Sequence, residues 1–293
     1  MKNKSKLHKF GGFDAFNYIW MILFSLFCLL PLMIMISASF STDSDLQRYG
    51  YGLFPHTFST GAYDIVFGNY QPLLRAYGVS VFVTVVGTLA NLLFTSMIAF
   101  PLSKYDFRYK KLVTPLLLVT MLFSPGTVPS YILITQYLKW RDTMWVLIVP
   151  QIGSTFNIIL LRTFFQDIPR EIGESAKMDG CSVFREYLTM TLPLSMPALA
   201  TCTVLMSLSY WNDWGTSYLY VQDNSLWTVQ YLMVKLAQEA QAWKTNMGMG
   251  VATESADSVV MATCIIGTVP IMFLFLYLQK YIVKGMTVGA VKG

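Results

Sequence analysis

Six long apolar runs divide the chain, and polar positions are concentrated between them. The runs cover residues 19–36, 79–102, 112–138, 145–165, 198–218 and 257–278. Each is long enough to cross a bilayer, because an α-helix needs roughly 17–25 residues to span the hydrocarbon core. The runs are continuous rather than alternating, so an interpretation as β-strands fails. The pattern therefore predicts an all-α, polytopic membrane protein with six transmembrane helices.

The third run contains a cluster of three helix-breaking residues. Pro125, Gly126 and Pro129 lie near its middle. Proline removes a backbone donor and clashes with the preceding turn. We therefore expect a broken helix here, whose freed carbonyl groups line a cavity.

Composition supports the same class. The 293 residues are 54% hydrophobic and only 13% charged, whereas a soluble domain usually carries about 25% charged residues. The mean hydropathy is +0.49. These values exclude a disordered chain, a coiled coil and a disulfide scaffold, and they argue against a soluble enzyme.

The distribution of charge predicts the orientation of the six helices. If the N-terminus lies inside, one face carries 15 basic residues: Lys2, Lys4, Lys6, Lys9, Lys104, Arg108, Lys110, Lys111, Arg162, Arg170, Lys177, Arg185, Lys280, Lys284 and Lys292. The opposite face carries the remaining six: Arg48, Arg75, Lys139, Arg141, Lys235 and Lys244. The positive-inside rule then places both termini in the cytoplasm. This topology accounts for the net charge of +5 without a nucleic-acid partner.

Three segments follow from this topology. Residues 1–18 form a cytoplasmic N-terminal segment, residues 19–281 the transmembrane domain with a cytoplasmic loop at 162–193, and residues 282–293 a cytoplasmic tail. A cleavable signal peptide is the alternative for the first run, since it follows basic residues and ends near the small residues Ser37, Ala38 and Ser39. The run is longer than a typical signal core, which favours an uncleaved anchor.

Catalytic and metal-binding chemistry is sparse in the sequence. The two histidines, His8 and His56, are far apart, and the four cysteines are isolated along the chain. No phosphate-binding loop of the GxxxxGK[ST] type is present. We therefore expect no catalytic residue, no metal site and no cofactor bound by this chain. Ionisable residues are also nearly absent from the runs, so a driving force for transport would come from another subunit.

The cytoplasmic loop at 162–193 has the signals of two short helices joined by a glycine. Pro169 and Glu171 suit a first helical turn, and Gly180 suits the left-handed conformation that ends a helix. Ser182 can cap a second helix, in which Val183/Tyr187 and Phe184/Leu188 are apolar pairs at i, i+4. The loop therefore predicts an elbow that displays an apolar ridge, suited to insertion into a groove of a partner. The alternative is an amphipathic hairpin that lies in the lipid headgroups.

This loop resembles the EAA loop of ABC-importer permeases, whose pattern is roughly E-A-A-x-x-D-G-A followed by Leu-Pro. The matching positions are Glu174, Ala176, Asp179, Gly180, Leu192 and Pro193. Ser175 and Cys181 replace the usual alanines with other small residues. The resemblance implies that the elbow, including Phe184 of the ridge, is the coupling element that docks into the ATPase subunit.

The end of the chain narrows the resemblance to one branch. Residues 279–293 are similar to the C-terminus of sugar-importer permeases of the maltose-transporter type, and so is the element from Trp211 to Trp214. In that branch the tail of one permease reaches between the two ATPase subunits. The resemblance thus implies an ATPase contact for four residues of the tail, Lys284, Gly285, Gly289 and Lys292.

The resemblance implies a type I importer permease that works by alternating access in the bacterial cytoplasmic membrane. Its implied partners are a second homologous permease, two copies of an ATPase that bind ATP and Mg²⁺, an external sugar-binding protein, membrane lipid and an oligosaccharide substrate. An importer for another small solute is one alternative. A secondary transporter or channel is another, although the runs offer no good ion sites.

Polar and aromatic residues within the runs are candidates for the sugar path. The candidates are Asn91, Ser124, Ser130, Tyr131, Gln151, Asn157, Ser207, Tyr210, Trp211 and Asn212. Aromatic faces can stack on sugar rings, and polar groups can bind hydroxyls. For each position, an interhelical hydrogen bond or an interfacial aromatic belt is an equally good interpretation.

Overall fold

The computed structural model describes residues 12–68, 70–104, 106–246 and 256–290. Fifteen α-helices are present in these ranges. They are α1 (Gly12–Ser39), α2 (Asp43–Tyr49), α3 (Gly61–Gly68), α4 (Tyr70–Ser103), α5 (Lys110–Leu122), α6 (Thr127–Ile132), α7 (Met144–Ile148), α8 (Thr155–Gln166), α9 (Arg170–Met178), α10 (Val183–Glu186), α11 (Leu192–Leu194), α12 (Met196–Trp211), α13 (Gly215–Tyr220), α14 (Val229–Asn246) and α15 (Ala256–Ala290). The predicted all-α class is confirmed.

Two π-helical turns join some of these helices. Leu133–Tyr137 continues α6, and Tyr187–Thr191 connects α10 to α11. Pro193 lies two residues after the end of the second turn, and it has no N–H to offer to the carbonyl one turn earlier. Such wide turns are frequent near functional sites.

Helices long and apolar enough to span a membrane are found among the described residues. Two qualify alone, α1 and α4, and three bent pairs raise the number to five if each pair is one span. A shorter apolar stretch, Asp257–Phe273, lies in α15. The number of six spans and the cytoplasmic position of both termini stay predictions.

The third span is broken as predicted, whereas the fourth and fifth differ from the prediction. Lys110–Leu122 and Thr127–Tyr137 meet at 107°, at the Pro125–Gly126 break. The expectation of an unbroken fourth helix is wrong, because Met144–Gln151 and Thr155–Gln166 are bent by 49°. The fifth helix ends at Trp211 rather than at residue 218, and α13 follows as a separate helix.

The chain forms two compact units, of which the first comprises residues 1–69 and 236–266. Within it, the end of α1 is tied to α3 by a hydrogen bond between Ser39 Oγ and Tyr63 Oη of 3.0 Å. The backbone N–H of Ser258 donates to Asp43 Oδ1 at 2.9 Å, which satisfies a donor at the start of α15.

The second unit comprises residues 70–235 and 267–293, and α4 is its central helix. The C-terminal half of α4 packs with α8 and α12 in one apolar core that includes Phe100, Leu161 and Met206. The N-terminal half packs in another core with α7 and α13, which includes Val83, Leu147 and Tyr220. Because α4 contributes to both cores, it joins the two regions of this unit that carry the candidate functional residues.

Candidate functional site: an elbow and a cavity

The predicted elbow is present between α9 and α10. Gly180 has φ +71°, and its N–H donates to the Lys177 carbonyl at 3.1 Å. The Cys181 N–H donates to the Ala176 carbonyl at 2.9 Å, which completes a Schellman motif. Ser182 Oγ then accepts the Arg185 N–H at 3.3 Å and caps α10. The predicted roles of Gly180 and Ser182 in the local backbone are confirmed.

An apolar ridge on the elbow is exposed, although it differs in one residue from the expectation. Val183, Phe184 and Leu188 are 63%, 60% and 46% exposed. Tyr187, which we placed in the ridge, is 3% exposed and packs into the core instead. Its hydroxyl shares a 2.8 Å hydrogen bond with Ser96 Oγ of α4. The i, i+4 spacing placed Tyr187 on the same face, but this phenol has a buried partner to bind.

The other predicted coupling residues divide into an exposed and a packed group. Glu174, Asp179 and Pro193 are exposed, as is Gly180 itself. Ala176 is buried, and Leu192 packs against the core formed by α4, α8 and α12. Thus part of the motif supports the elbow from inside, and the rest is accessible to a partner.

Two ion pairs join the elbow to the end of α4 and the loop that follows. Lys104 Nζ pairs with Glu186 Oε1, and Lys177 Nζ with Asp106 Oδ2 at 2.8 Å. The hydrogen bond and charge of Lys177 hold the pKa of Asp106 below its ordinary value, and the reverse interaction raises the pKa of Lys177. The second pair is exposed, so it contributes little to stability. We did not predict either pair, because the partners are 82 and 71 residues apart.

A separate open cavity of about 790 Å³ lies where the broken helices interrupt their backbone hydrogen bonds. Ser124 and Gly126 contribute from the break of the third span, Gln151 from that of the fourth, and Asp213 from the end of α12. Irregular backbone at membrane depth is tolerated where it is buried in protein or lines a water-filled cavity. The cavity therefore gives the breaks a structural explanation.

Three of the ten predicted path residues line this cavity, namely Ser124, Ser130 and Gln151. Tyr131 stacks on the lining residue Tyr220, with ring centroids 5.8 Å apart. Five others are buried: Asn91, Asn157, Ser207, Tyr210 and Trp211. The remaining candidate, Asn212, is exposed and is not part of the lining.

Asp213 organises the polar side of the cavity. Its Oδ2 accepts from Gln151 Nε2 at 2.6 Å, and its Oδ1 accepts the Thr216 N–H at 3.1 Å. Ser209 Oγ donates to Gln151 Oε1 at 3.1 Å. Asp213 lies three residues before Thr216, near the start of α13, and this spacing is a capping signal that sequence reasoning could have used.

Asn91 and Tyr210 support the cavity from behind. Asn91 Nδ2 donates to the Gln151 carbonyl at 3.0 Å, and Asn91 Oδ1 accepts the Gly153 N–H at 3.0 Å. The Tyr210 hydroxyl donates to the Ile148 carbonyl at 2.9 Å. Both residues thus satisfy backbone groups that the break of the fourth span leaves free.

Comparison with known proteins gives the family. No family model matches the chain. The chain is 37% identical to Protein LplC of Bacillus subtilis (strain 168), over 96% of this chain and 95% of that protein. It is 36% identical to the polygalacturonan/rhamnogalacturonan transport system permease protein YtcP of the same organism, over 96% of this chain and 98% of YtcP. This chain belongs to the family of sugar ABC-transporter permeases.

A solved structure shows the fold of this permease. The chain superimposes with a TM-score of 0.80 and 24% identity on a chain of a bacterial ABC transporter that imports alginate. The alignment covers 96% of this permease and 99% of that chain. The permease therefore has the helical fold of that importer chain, and its relationship to the permease YtcP makes it a transport subunit.

The structure describes three of the four tail residues for which an ATPase contact is predicted. Lys284, Gly285 and Gly289 belong to α15, which runs to Ala290. Lys292 lies outside the described residues. The tail contact with an ATPase stays a prediction.

Proposed function

We propose that this permease is the membrane-spanning subunit of an ATP-driven importer of oligosaccharides, and that it works by alternating access. The observation that carries the proposal is the exposed apolar ridge of Val183, Phe184 and Leu188 beside the left-handed Gly180. An apolar ridge on a short, capped helix fits a groove of a partner protein. In this proposal the groove belongs to an ATPase subunit, which carries the nucleotide site that this chain lacks.

Movement of the elbow reaches the membrane helices through a continuous path in the chain. The elbow passes through the π-helical turn and α11 into α12, with a bend of 82° at Ser195. α12 ends at Trp211, next to the cavity residue Asp213. When ATP binding draws two ATPase copies together, the elbow moves with them and α12 shifts the wall of the cavity. Each tenfold gradient of solute requires about 1.4 kcal/mol, which ATP hydrolysis by the partner supplies.

The cavity is our proposed section of the substrate path. Ser124, Ser130 and Gln151 offer hydroxyl and amide groups, and Trp140 and Tyr220 offer aromatic faces. This combination suits a saccharide, which presents hydroxyl groups at its edge and apolar C–H groups on its faces. The name of YtcP, with its polygalacturonan and rhamnogalacturonan substrates, supports a carbohydrate of several units.

The complete importer in this proposal contains a second homologous permease, two ATPase copies and an external sugar-binding protein. The permease lies in the bacterial cytoplasmic membrane with six spans and both termini in the cytoplasm. The asymmetry of basic residues between the two faces supports this orientation. A reporter attached to either terminus, and active only in the cytoplasm, tests this orientation.

Stimulation of ATP hydrolysis tests the function. The complex is reconstituted in proteoliposomes with its binding protein, and oligogalacturonates, rhamnogalacturonan oligosaccharides, arabino-oligosaccharides and an amino-acid mixture are added in turn. We expect hydrolysis to rise severalfold only with the binding protein and one of the oligosaccharides, together with ATP-dependent uptake. Stimulation by amino acids alone would favour an importer of another solute. Uptake driven by an ion gradient without ATP would indicate a secondary transporter.

Truncation after Tyr281 tests the proposed role of the tail. We expect the shortened permease to insert into the membrane normally but to retain less ATPase during purification, because contacts of residues 282–293 are lost. Replacement of the same residues by a Gly/Ser segment of equal length is the control for chain length. Unchanged assembly and uptake in both variants would remove the tail from the coupling interface.

A further inference from the structure

Glu186, the last residue of α10, is a buried carboxylate at the end of the elbow. Its side chain is 5% exposed, and that of its partner Lys104 is 30% exposed. Lys104 directly follows the last residue of α4 and also lies 4.9 Å from the ring centroid of Phe100. A buried charge is costly without a partner, so loss of either member leaves the other uncompensated.

The first helix of the elbow closes over this ion pair at Gly173. A Cβ atom at Gly173 would lie 2.9 Å from Glu186 Oε1 and 3.4 Å from Lys104 Nζ. The absence of a side chain thus allows the backbone of α9 to approach the pair. Three segments meet at this point: the end of α4, α9 and α10.

A second contact lies further back along α4. Tyr187, the neighbour of Glu186, shares its 2.8 Å hydrogen bond with Ser96 Oγ. At 1.5 Å per residue, positions 96 and 104 are about 12 Å apart along a helix. Two adjacent elbow residues therefore hold the end of α4 at two separated points, which resists both sliding and tilting.

A cavity of about 350 Å³ adjoins the ion pair, lined among others by Arg170, Gly173 and Thr191. The elbow is therefore not close-packed against α4 on this side.

We propose that Lys104 and Glu186 are positioning residues for energy coupling, which make the elbow and the second span move as one body. This inference rests on the proposed function, in which an ATPase moves the elbow. It extends that function because the force reaches α4, the helix common to both cores, as well as α12. Neither Lys104 nor Glu186 is among the residues of the EAA pattern.

Neutral and swapped variants test the link in the complete transport complex. We expect Glu186→Gln and Lys104→Met each to lower the number of sugar molecules imported per ATP by about tenfold, while ATP hydrolysis without binding protein persists or rises. The double variant Lys104→Glu with Glu186→Lys is expected to restore most of the ratio. Asp106→Asn is the matched control, because it breaks the exposed pair with Lys177 and should change the ratio less than twofold.

A spectroscopic arm tests the link without any sugar. Nitroxide labels are placed on Leu93 of α4 and Glu171 of α9, both exposed, after replacement of the native cysteines. Their distance distribution is measured in nanodiscs before and after the ATPase is trapped with ADP and vanadate. We expect one narrow distribution in both states for the wild type, a broad one for Glu186→Gln and a narrow one for the charge-swapped variant.

The two arms separate the possible failures. If a wild-type complex shows no sugar-stimulated hydrolysis, the proposed function fails, and the label distances still decide whether the pair unites elbow and span. If the pair only stabilised the fold, its loss would lower assembly and thermal stability. The number of sugar molecules imported per ATP and the label distance would then stay unchanged. That result, or a swapped variant that behaves like the single variants, would overturn the proposal.

Discussion

Replacement of Asn91 with leucine is expected to lower the free energy of unfolding by about 2–4 kcal/mol. Asn91 is buried and makes 3.0 Å hydrogen bonds to the Gln151 carbonyl, the Gly153 N–H and the Thr95 hydroxyl. Leucine has the same branching at Cγ as asparagine but is bulkier and cannot form hydrogen bonds, so it leaves little room for a replacement water. The two backbone groups at the break of the fourth span would then lose their partner. The free energy of unfolding is measured by titrating the purified permease, in a mild detergent, with a denaturing detergent.

Thr95→Val is the matched control, because it removes only the hydroxyl that bonds to Asn91. We expect a loss of about 0.5–1 kcal/mol for this variant, since Asn91 keeps both backbone partners. Asn91→Leu is also expected to reduce uptake at permissive temperature, because Gln151 and the cavity wall shift. If Asn91→Leu unfolds within 0.5 kcal/mol of Thr95→Val, the backbone break does not depend on Asn91.

The length and hydropathy of a segment predict its environment better than its continuity. The break at Pro125 and Gly126 was predicted, because two prolines and a glycine lie within five residues. The break of the fourth span carries Pro150 and Gly153, yet its apolar run suggested one helix. The difference is physical. A single proline is compatible with a helix, as Pro31 in α1 shows, and tertiary partners such as Asn91 decide whether the freed groups are stabilised.

Local signals also predicted the elbow more fully than its attachment to α4. The left-handed Gly180 and the Ser182 cap depend on residues a few positions apart, so the sequence contains the whole motif. The inward position of Tyr187 and the pairing of Glu186 with Lys104 depend on partners 91 and 82 residues away. A charged residue within the run from Val183 to Leu188 was the available signal for a buried partner. It did not identify that partner.

The same limit applies to the cavity. Polar residues within the runs were good indicators of polar contacts, but they did not separate residues that line a path from residues that support it. Asn91 and Tyr210 bond to backbone groups, whereas Ser124, Ser130 and Gln151 line the cavity. The distinction depends on which way each helix faces after the breaks. Continuous apolar runs do not show a polar face, so their periodicity does not settle it.

Gly180→Val is expected to uncouple transport from ATP hydrolysis. A β-branched residue at φ +71° costs about 1–2 kcal/mol relative to glycine, which lowers the population of the native elbow conformation by about five- to thirtyfold. Among the residues that the structure describes, no atom other than those of Gly180 and its chain neighbours lies within 4 Å of a Cβ atom at this position, so the penalty comes from the backbone and not from a clash. The second helix of the elbow, α10, would then point in a different direction, and Phe184 and the rest of the apolar ridge would move with it. Sugar-stimulated ATP hydrolysis and uptake in proteoliposomes measure the loss.

Gly180→Asn separates backbone conformation from side-chain size. Asparagine tolerates the left-handed region far better than valine, so it should retain most of the stimulated hydrolysis although its side chain is as large. Thermal stability should change little in either variant, because Gly180 is exposed and the cores of the second unit do not include it. Normal stimulation and uptake in Gly180→Val would show that the direction of the elbow does not matter for docking. A parallel loss in both variants would instead point to a contact that the glycine surface itself makes with the partner.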